Sequence, residues 1–222
     1  MDPVKPKRRY DSPRRAEQAR QTRAAVVACA RRLFLRHGFA ATTITVIAAE
    51  AHVSAETIYK AFGGKPGLVR AICATALAGE GPVPAETRSD ELQAHQPDPR
   101  EIIRGWGKLT IEVAPRIMPI LLLIRSAAAT DQEMAGLREE MDTSRLSRMT
   151  SNARNLAEAS HLRDDITVQD AGEVLWTYSS PELYELLVLT RRWPPQKYGA
   201  FIAEAMMAAL LPPSAPSRAE SP

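Results

Sequence analysis

The chain has 222 residues, 45% of them apolar and only 5% aromatic, enough to bury one medium core or a small head with a larger body. Ala and Leu abound and β-branched runs are scarce, which favours helix over sheet. No apolar stretch approaches the roughly 20 residues that cross a bilayer. The opening MDPVKPKRRYDSPRRAEQARQTR has charge without an apolar centre, which argues against a secretion signal and for a cytoplasmic protein.

The net charge of +3 hides an asymmetry. From Met1 to Arg70 there are 14 Lys or Arg against 5 Asp or Glu, a balance of +9, and the remainder carries −6. A basic front and an acidic back imply that only the front meets a polyanion; a solvated basic tail is the plainer alternative. Cys29 and Cys73 lie inside helical patterns. Two such cysteines fit a reducing compartment and the role of small buried hydrophobes rather than a redox pair.

Residues 1–15, rich in Pro, Lys and Arg, lack apolar periodicity and read as a disordered basic arm. From about Ala16 to His37, apolar positions recur at Val26, Ala30, Leu33 and Phe34 along one helical face, and Gly38 follows as a stop. Two short helical pieces occupy TTITVIAAEAHVSAETIYKAFGGK, residues 42–65. A fourth helix then ends near Gly79 to Gly81. The Pro- and acid-rich segment 80–99 reads as a connector with at most a short helix, and the domain boundary is expected there.

Later elements all look helical. Asp98 caps one, with Pro99 at its first position and Glu101 three residues after the cap. Pro115 and Pro119 are expected to interrupt the next, an almost wholly apolar piece. A long helix is predicted from about Asp131 to Ala159. Thr167, with Asp170 three positions on, caps another, and Ser180 caps a helix opening with Pro181. A last helix ends near Leu211, before a disordered tail over 212–222. The fold class is therefore all-α, with a head over 16–79 and a second helical domain over 98–211.

The short pieces form one unit. Thr43 caps the first, which carries Ile44, Ile47, Ala48 and Ala51 on one face. Ser54 caps the second, with Glu56 in its first turn. Val53 and Ile58 flank that cap in the spacing of a hydrophobic staple. With Ile58 and Phe62 turned inward, Ala55, Glu56, Thr57, Tyr59 and Lys60 are left on the outside. This is a helix-turn-helix, with a second helix small enough at its N-terminus to approach a major-groove floor. A merely solvated face is the alternative. Lys65 follows the Gly63 stop and a Gly64 cap. It sits where the helix dipole disfavours a cation, and where a phosphate would be held by both free N–H groups and the ammonium.

From Arg20 to about Ala78 the pattern resembles the N-terminal domain of the TetR family of transcriptional regulators. The marks are LFLRHGFAATTITVIAAEAHVSAETIYKAFGGKPGLV, with Phe34, Gly38, Thr43, Ile47, Ala48, Val53, Ser54, Thr57, Tyr59, Phe62, Lys65 and Leu68 in register. The resemblance implies an all-helical homodimer, in most cases a repressor, that binds a near-palindromic operator in double-stranded DNA. It implies phosphate contacts at Thr43, Thr57, Tyr59 and Lys65, and base reading by Ala55, Glu56 and Lys60, with Ser54 at the cap. Three positions depart from the family pattern. AHVS replaces AGVS, so His52 is expected in the left-handed conformation that Gly adopts freely. GKP replaces SKE at the fourth helix, and Glu56 would repel phosphates. Glu56 has two readings, complement of the helix dipole or acceptor for a cytosine amino group. The basic arm likewise suits either the adjacent minor groove or simple solubility.

By the same resemblance the second domain is expected to take an unknown small-molecule effector. Its expected lining is Trp106, Thr110, Met118, Leu122, Arg125 and Met141, with Trp176 and Tyr178 from a later helix; plain core is the competing role for each. The helices at about 181–192 and 195–211 are where the family dimerises, and Leu187, Met206, Ala209 and Leu210 offer apolar surface for it. An enzyme is not expected. His37, His52, His95 and His161 are scattered, without metal-ligand spacing, and no phosphate loop or nucleophile elbow is present. Neither a metal nor another cofactor is called for. A non-DNA helical interaction module, or a helical enzyme with dispersed catalytic residues, is the alternative reading.

Overall fold

The computed structural model describes residues 13–213. The chain divides into two compact units, Met1–Ile72 and Cys73–Pro222. Among the described residues all regular structure is helical, and no helix is long and apolar enough to cross a membrane.

The first unit holds α1 (Pro13–His37), α2 (Ile44–Glu50), α3 (Ala55–Phe62) and the first half of α4 (Lys65–Ala78). α1 starts at Pro13, where the arm was expected to run to residue 15; Pro at the first helical position fits because its missing N–H would have no partner there. The rest of the arm, 1–12, lies outside the described residues. Val26, Ala30 and Phe34 of α1 meet a core that contains Ile47, Ile58, Leu68 and Val69, all 2% exposed or less. Each such aliphatic side chain removed from water is worth about 1.5–3 kcal/mol, which is how helices of seven and eight residues persist. Phe34 stacks on Phe39 with ring centres 5.7 Å apart. Buried Thr42, which the apolar pattern passes over, donates to the Gly38 carbonyl at 2.8 Å and closes the loop after α1.

The second unit contains the end of α4, then α5 (Ala85–His95), α6 (Pro99–Ala127), α7 (Gln132–Glu158), α8 (Val168–Tyr178), α9 (Pro181–Tyr184) and α10 (Pro195–Leu210). α9 continues into a π-helical turn over Glu185–Thr190. α6 is central, packing on α7 and α10, while α7 packs on α8. Gly107 and Gly199 set the α6–α10 approach: a Cβ on Gly107 would lie 2.8 Å from the Gly199 carbonyl oxygen. No side chain fits there.

Three expectations change. The segment 80–99 holds an eleven-residue helix, α5, which packs on α6 and belongs to the second unit. Its Ala85 and Ser89 are buried, and Arg88 grips Glu112 of α6 with two hydrogen bonds of 2.6 and 2.9 Å. The division between units accordingly falls after Ile72, inside α4, rather than in 80–99. Pro115 and Pro119 do not end a helix either, for α6 runs through both. Four residues apart, they share one face, so their missing N–H groups cost bonds on that side alone, while buried Ala114, Ile117, Met118 and Ile120 hold the segment in the core. The predicted caps hold: Asp98, Thr167 and Ser180 each accept from the first turn, and Thr167 with Asp170 closes a full capping box. Asp131, expected only as the start of α7, caps it in the same way.

Candidate nucleic-acid interface

The α2–α3 corner is built from short local devices. The Thr43 hydroxyl accepts from Val46 N–H at 3.2 Å. At the other end of α2, the His52 N–H bonds to the Ala49 carbonyl and the Val53 N–H to the Ala48 carbonyl at 3.0 Å. That crossed pair is a Schellman motif, and it places His52 at the residue that must turn left-handed; its φ is 54°. The residue at that point usually lacks a Cβ, and here the imidazole stands exposed in solvent.

Val53 leads directly into the Ser54 cap. The Ser54 hydroxyl accepts from Thr57 N–H at 3.1 Å and shares a 2.8 Å hydrogen bond with the Thr57 hydroxyl. Ile58, four residues past the cap, is fully buried and locks the entry angle of α3. Gly63 ends the helix at φ 77°, and Gly64 starts α4 at φ 140°, two conformations that side chains avoid. Phe62 is only half-buried, where a core position was expected; the Arg23 guanidinium covers its ring at 4.3 Å and donates to the Ala61 carbonyl at 3.0 Å. Arg32 of α1 pairs with Glu50 of α2. α1 therefore braces both helices of the motif.

What remains outside is the predicted face. Thr43, Ser54, Glu56, Thr57, Tyr59 and Lys60 are exposed, Tyr59 to 55%, and Ala55 is half-buried. Val46, one turn beyond Thr43, joins them at 48% exposed; sequence reasoning missed it because it counted only the inward stripe of α2. Lys65 sits differently. Its ammonium donates to the Phe39 carbonyl at 2.7 Å and rests over the Phe39 ring, so part of its charge is already spent within the chain.

Residues 26–72, which span this corner and its supports, match the family model described as bacterial regulatory proteins, tetR family. The head is a TetR-family DNA-binding domain. Solved structures share the fold of most of the chain at low identity. SmeT of Stenotrophomonas maltophilia, in its triclosan complex, has a TM-score of 0.68 at 18% identity, covering 91% of this chain and 98% of its own. NalD of Pseudomonas aeruginosa, described as the secondary repressor of the MexAB-OprM multidrug efflux pump, has 0.67 at 19%, covering 88% and 98%. Reduced NemR of E. coli has 0.65 at 14%, covering 88% and 100%. No curated protein matches the chain.

The second unit has a cavity of about 410 Å³ between α5, α6, α7, α8 and α10. Of the residues expected to line a pocket, Trp106, Thr110, Met118, Met141 and Tyr178 do so. Leu122 and Trp176 do not, and Arg125 lies instead at a separate, more open hollow of about 470 Å³ between α6 and α7. Arg125 pairs with Glu182 and Glu185, at 3.3 and 2.6 Å, and ties α6 to α9 and the π-turn. Trp176 lies under the Arg145 guanidinium, 4.5 Å from its ring centre. Helical periodicity could not separate these three, because a face turned from solvent points at a neighbour as readily as at a cavity.

Sequence reasoning missed the polar part of the wall. Arg145 and Arg148 of α7 both reach it, three residues apart on one face, as do Asn152 and Tyr198. Burial pushes the Tyr198 hydroxyl up to about 12, and among the described residues neither that hydroxyl nor the Trp106 indole N–H has a hydrogen-bond partner. Cys29 and Cys73 are buried free thiols, both raised by burial, Cys73 to about 12, which leaves them inert. Among the described residues no group of His, Cys, Asp and Glu is placed to hold a metal.

Proposed function

We propose that this protein is a cytoplasmic transcriptional repressor that binds a near-palindromic operator as a homodimer and leaves it when a small molecule enters the second-unit cavity. One observation carries the DNA part. α3, fixed by the Ser54 cap and buried Ile58, presents Ala55, Glu56, Thr57, Tyr59 and Lys60 outward, with the small residues where a helix would approach the groove floor. Thr43, Thr57, Tyr59 and Lys65 are assigned to phosphates, and Ala55, Glu56 and Lys60 to base edges. The family match over 26–72 supports the assignment.

Dimerisation through α9, the π-turn and α10 is supported by their uncovered apolar residues. Leu186, Leu189 and Phe201 are 55%, 43% and 39% exposed, and Trp193 meets the Phe201 ring edge-on. Met206 and Leu210, which the sequence offered for this surface, are instead buried. The effector reading rests on the cavity: its volume lies at the lower end of the range that holds small ligands, about 300–1,000 Å³. The printed descriptions of the structural neighbours, a repressor of an efflux pump and a triclosan complex, agree with that reading.

A gel-shift titration of the protein against DNA from its own upstream region, with and without unlabelled competitor, tests the whole. The expected result is a specific complex that weakens as salt rises and contains two chains per site by sedimentation. A protein with no salt-sensitive specific complex would be a non-DNA interaction module built on the same head.

A further inference from the structure

The charged residues of the cavity wall are not alike. Arg148 is neutralised: it donates to the Glu86 carboxylate at 3.2 Å and to Asp90 at 2.6 Å, and Glu86 is 70% exposed at its side chain. Arg145 is buried more deeply, with 14% of its side chain exposed, yet among the described residues the one carboxylate it bonds is Asp142 at 3.2 Å, itself 42% exposed, and Glu182 acts on it only from a longer range. The guanidinium lies over the Trp176 ring and spends both Nη1 protons on neutral oxygens, the Trp176 carbonyl at 2.5 Å and the Ser179 hydroxyl at 3.2 Å. Among the described residues, Nε–H and one Nη2–H have no hydrogen-bond partner. A cation so placed loses hydration and recovers little, and its pKa is held below the usual arginine value by burial first of all.

Most of the remaining lining is apolar and pliable, Met118, Met141 and Met149 with Leu109, Ile117 and Leu175, interrupted by Glu86 and by neutral polar groups such as Thr110 and Asn152. Of the unpartnered polar groups of the wall, the Trp106 N–H can only donate and the Tyr198 hydroxyl can donate or accept. A wall rich in donors, with one under-compensated planar cation, suits a ligand that is apolar along its body and carries a planar anion at one end. We propose that the cavity binds an amphipathic monocarboxylate whose carboxylate meets Arg145 and whose apolar body lies among the methionines. A carboxylate matches the guanidinium fork in geometry as well as charge. An ammonium head would meet Arg145 as a like charge. This inference rests on reading the cavity as the effector site and narrows the effector to one chemical class.

Three probes of equal length decide it: decanoate, decanamide and decylammonium, each below its micelle concentration. Binding is read by tryptophan fluorescence and by the shift in melting temperature of the full chain. The expected order is decanoate tighter than decanamide by about tenfold, the scale of one charge-assisted hydrogen bond, with decylammonium weakest. Arg145→Gln is expected to bring decanoate down to decanamide. Arg148→Gln, whose guanidinium is already held by Glu86 and Asp90, is expected to keep the preference. Equal or tighter binding of decanamide or decylammonium to the wild type overturns the carboxylate assignment and leaves the cavity as an effector site. Loss of the preference in Arg148→Gln alone overturns the role of Arg145. Failure of all three probes overturns both the assignment and the effector reading, while DNA binding, measured separately by gel shift, stands or falls by itself. The wild-type series decides the class even where Arg145→Gln does not fold.

Discussion

The Lys65 ammonium donates to the Phe39 carbonyl at 2.7 Å and lies 4.2 Å from the centre of the Phe39 ring. A lysine at a helix start, disfavoured by the dipole, is thereby turned into a clasp between α4 and the loop after α1. A charge-assisted hydrogen bond with a ring contact at a half-buried site contributes about 1–2 kcal/mol. Lys65→Met is therefore expected to lower the urea midpoint of the DNA-free protein. A lysine used only for phosphate would leave that midpoint unchanged.

His52 carries a Cβ where the Schellman motif at the end of α2 calls for none, at φ 54°. Replacing it by Gly removes the left-handed penalty and adds freedom to the unfolded chain, two effects of about 1 kcal/mol that oppose each other. His52→Gly is expected to hold stability or raise it slightly, and His52→Val, branched at Cβ, to lower it by about 1–2 kcal/mol. Thermal melts of the pair check both signs. A clear loss in His52→Gly would mean that the imidazole contributes a contact of its own.

On α3, Lys60 and Glu56 are both exposed and of opposite charge. Lys60→Ala is expected to weaken operator binding. A drop of about 1 in the slope of log K against log salt would mark a phosphate contact, whereas an unchanged slope with altered sequence preference would mark a base contact. Glu56→Gln separates the two readings of that carboxylate. A dipole role predicts slightly lower stability with unchanged sequence preference, and base reading predicts relaxed preference at one cytosine.

The Arg88 guanidinium and the Glu80 N–H hold the Glu112 carboxyl below the usual carboxylate range. A folded pKa below the unfolded value, about 4.3 for Glu, gives stability that is complete above that value and fades as pH falls through the folded pKa. Wild type is thus expected to lose melting temperature from about pH 5 downward. Glu112→Gln should start lower at neutral pH and lose less across the same range. Parallel curves for the two proteins would show that the pair contributes nothing measurable.

Much of the head was legible because its determinants are local. The Thr43 and Ser54 caps, the Val53–Ile58 staple, the Gly63 stop and the left-handed His52 each depend on residues within five positions of one another, so spacing alone identifies them. The caps of α6, α8 and α9 were legible for the same reason. The whole outward face of α3 followed from knowing which side Ile58 buries.

Only the tertiary structure decided the rest, because it depends on partners distant in the chain. α5 is a helix of the second unit through Arg88 and Glu112, 24 residues apart. α6 survives Pro115 and Pro119 because its neighbours bury the residues between them. Lys65 turns to Phe39, 26 residues back. Trp106, Met118 and Arg145 face a cavity while Arg125 and Trp176 face other side chains, a choice that helical periodicity leaves open. Periodicity reports how far a residue turns from water; what it turns toward is set by the packing of other helices.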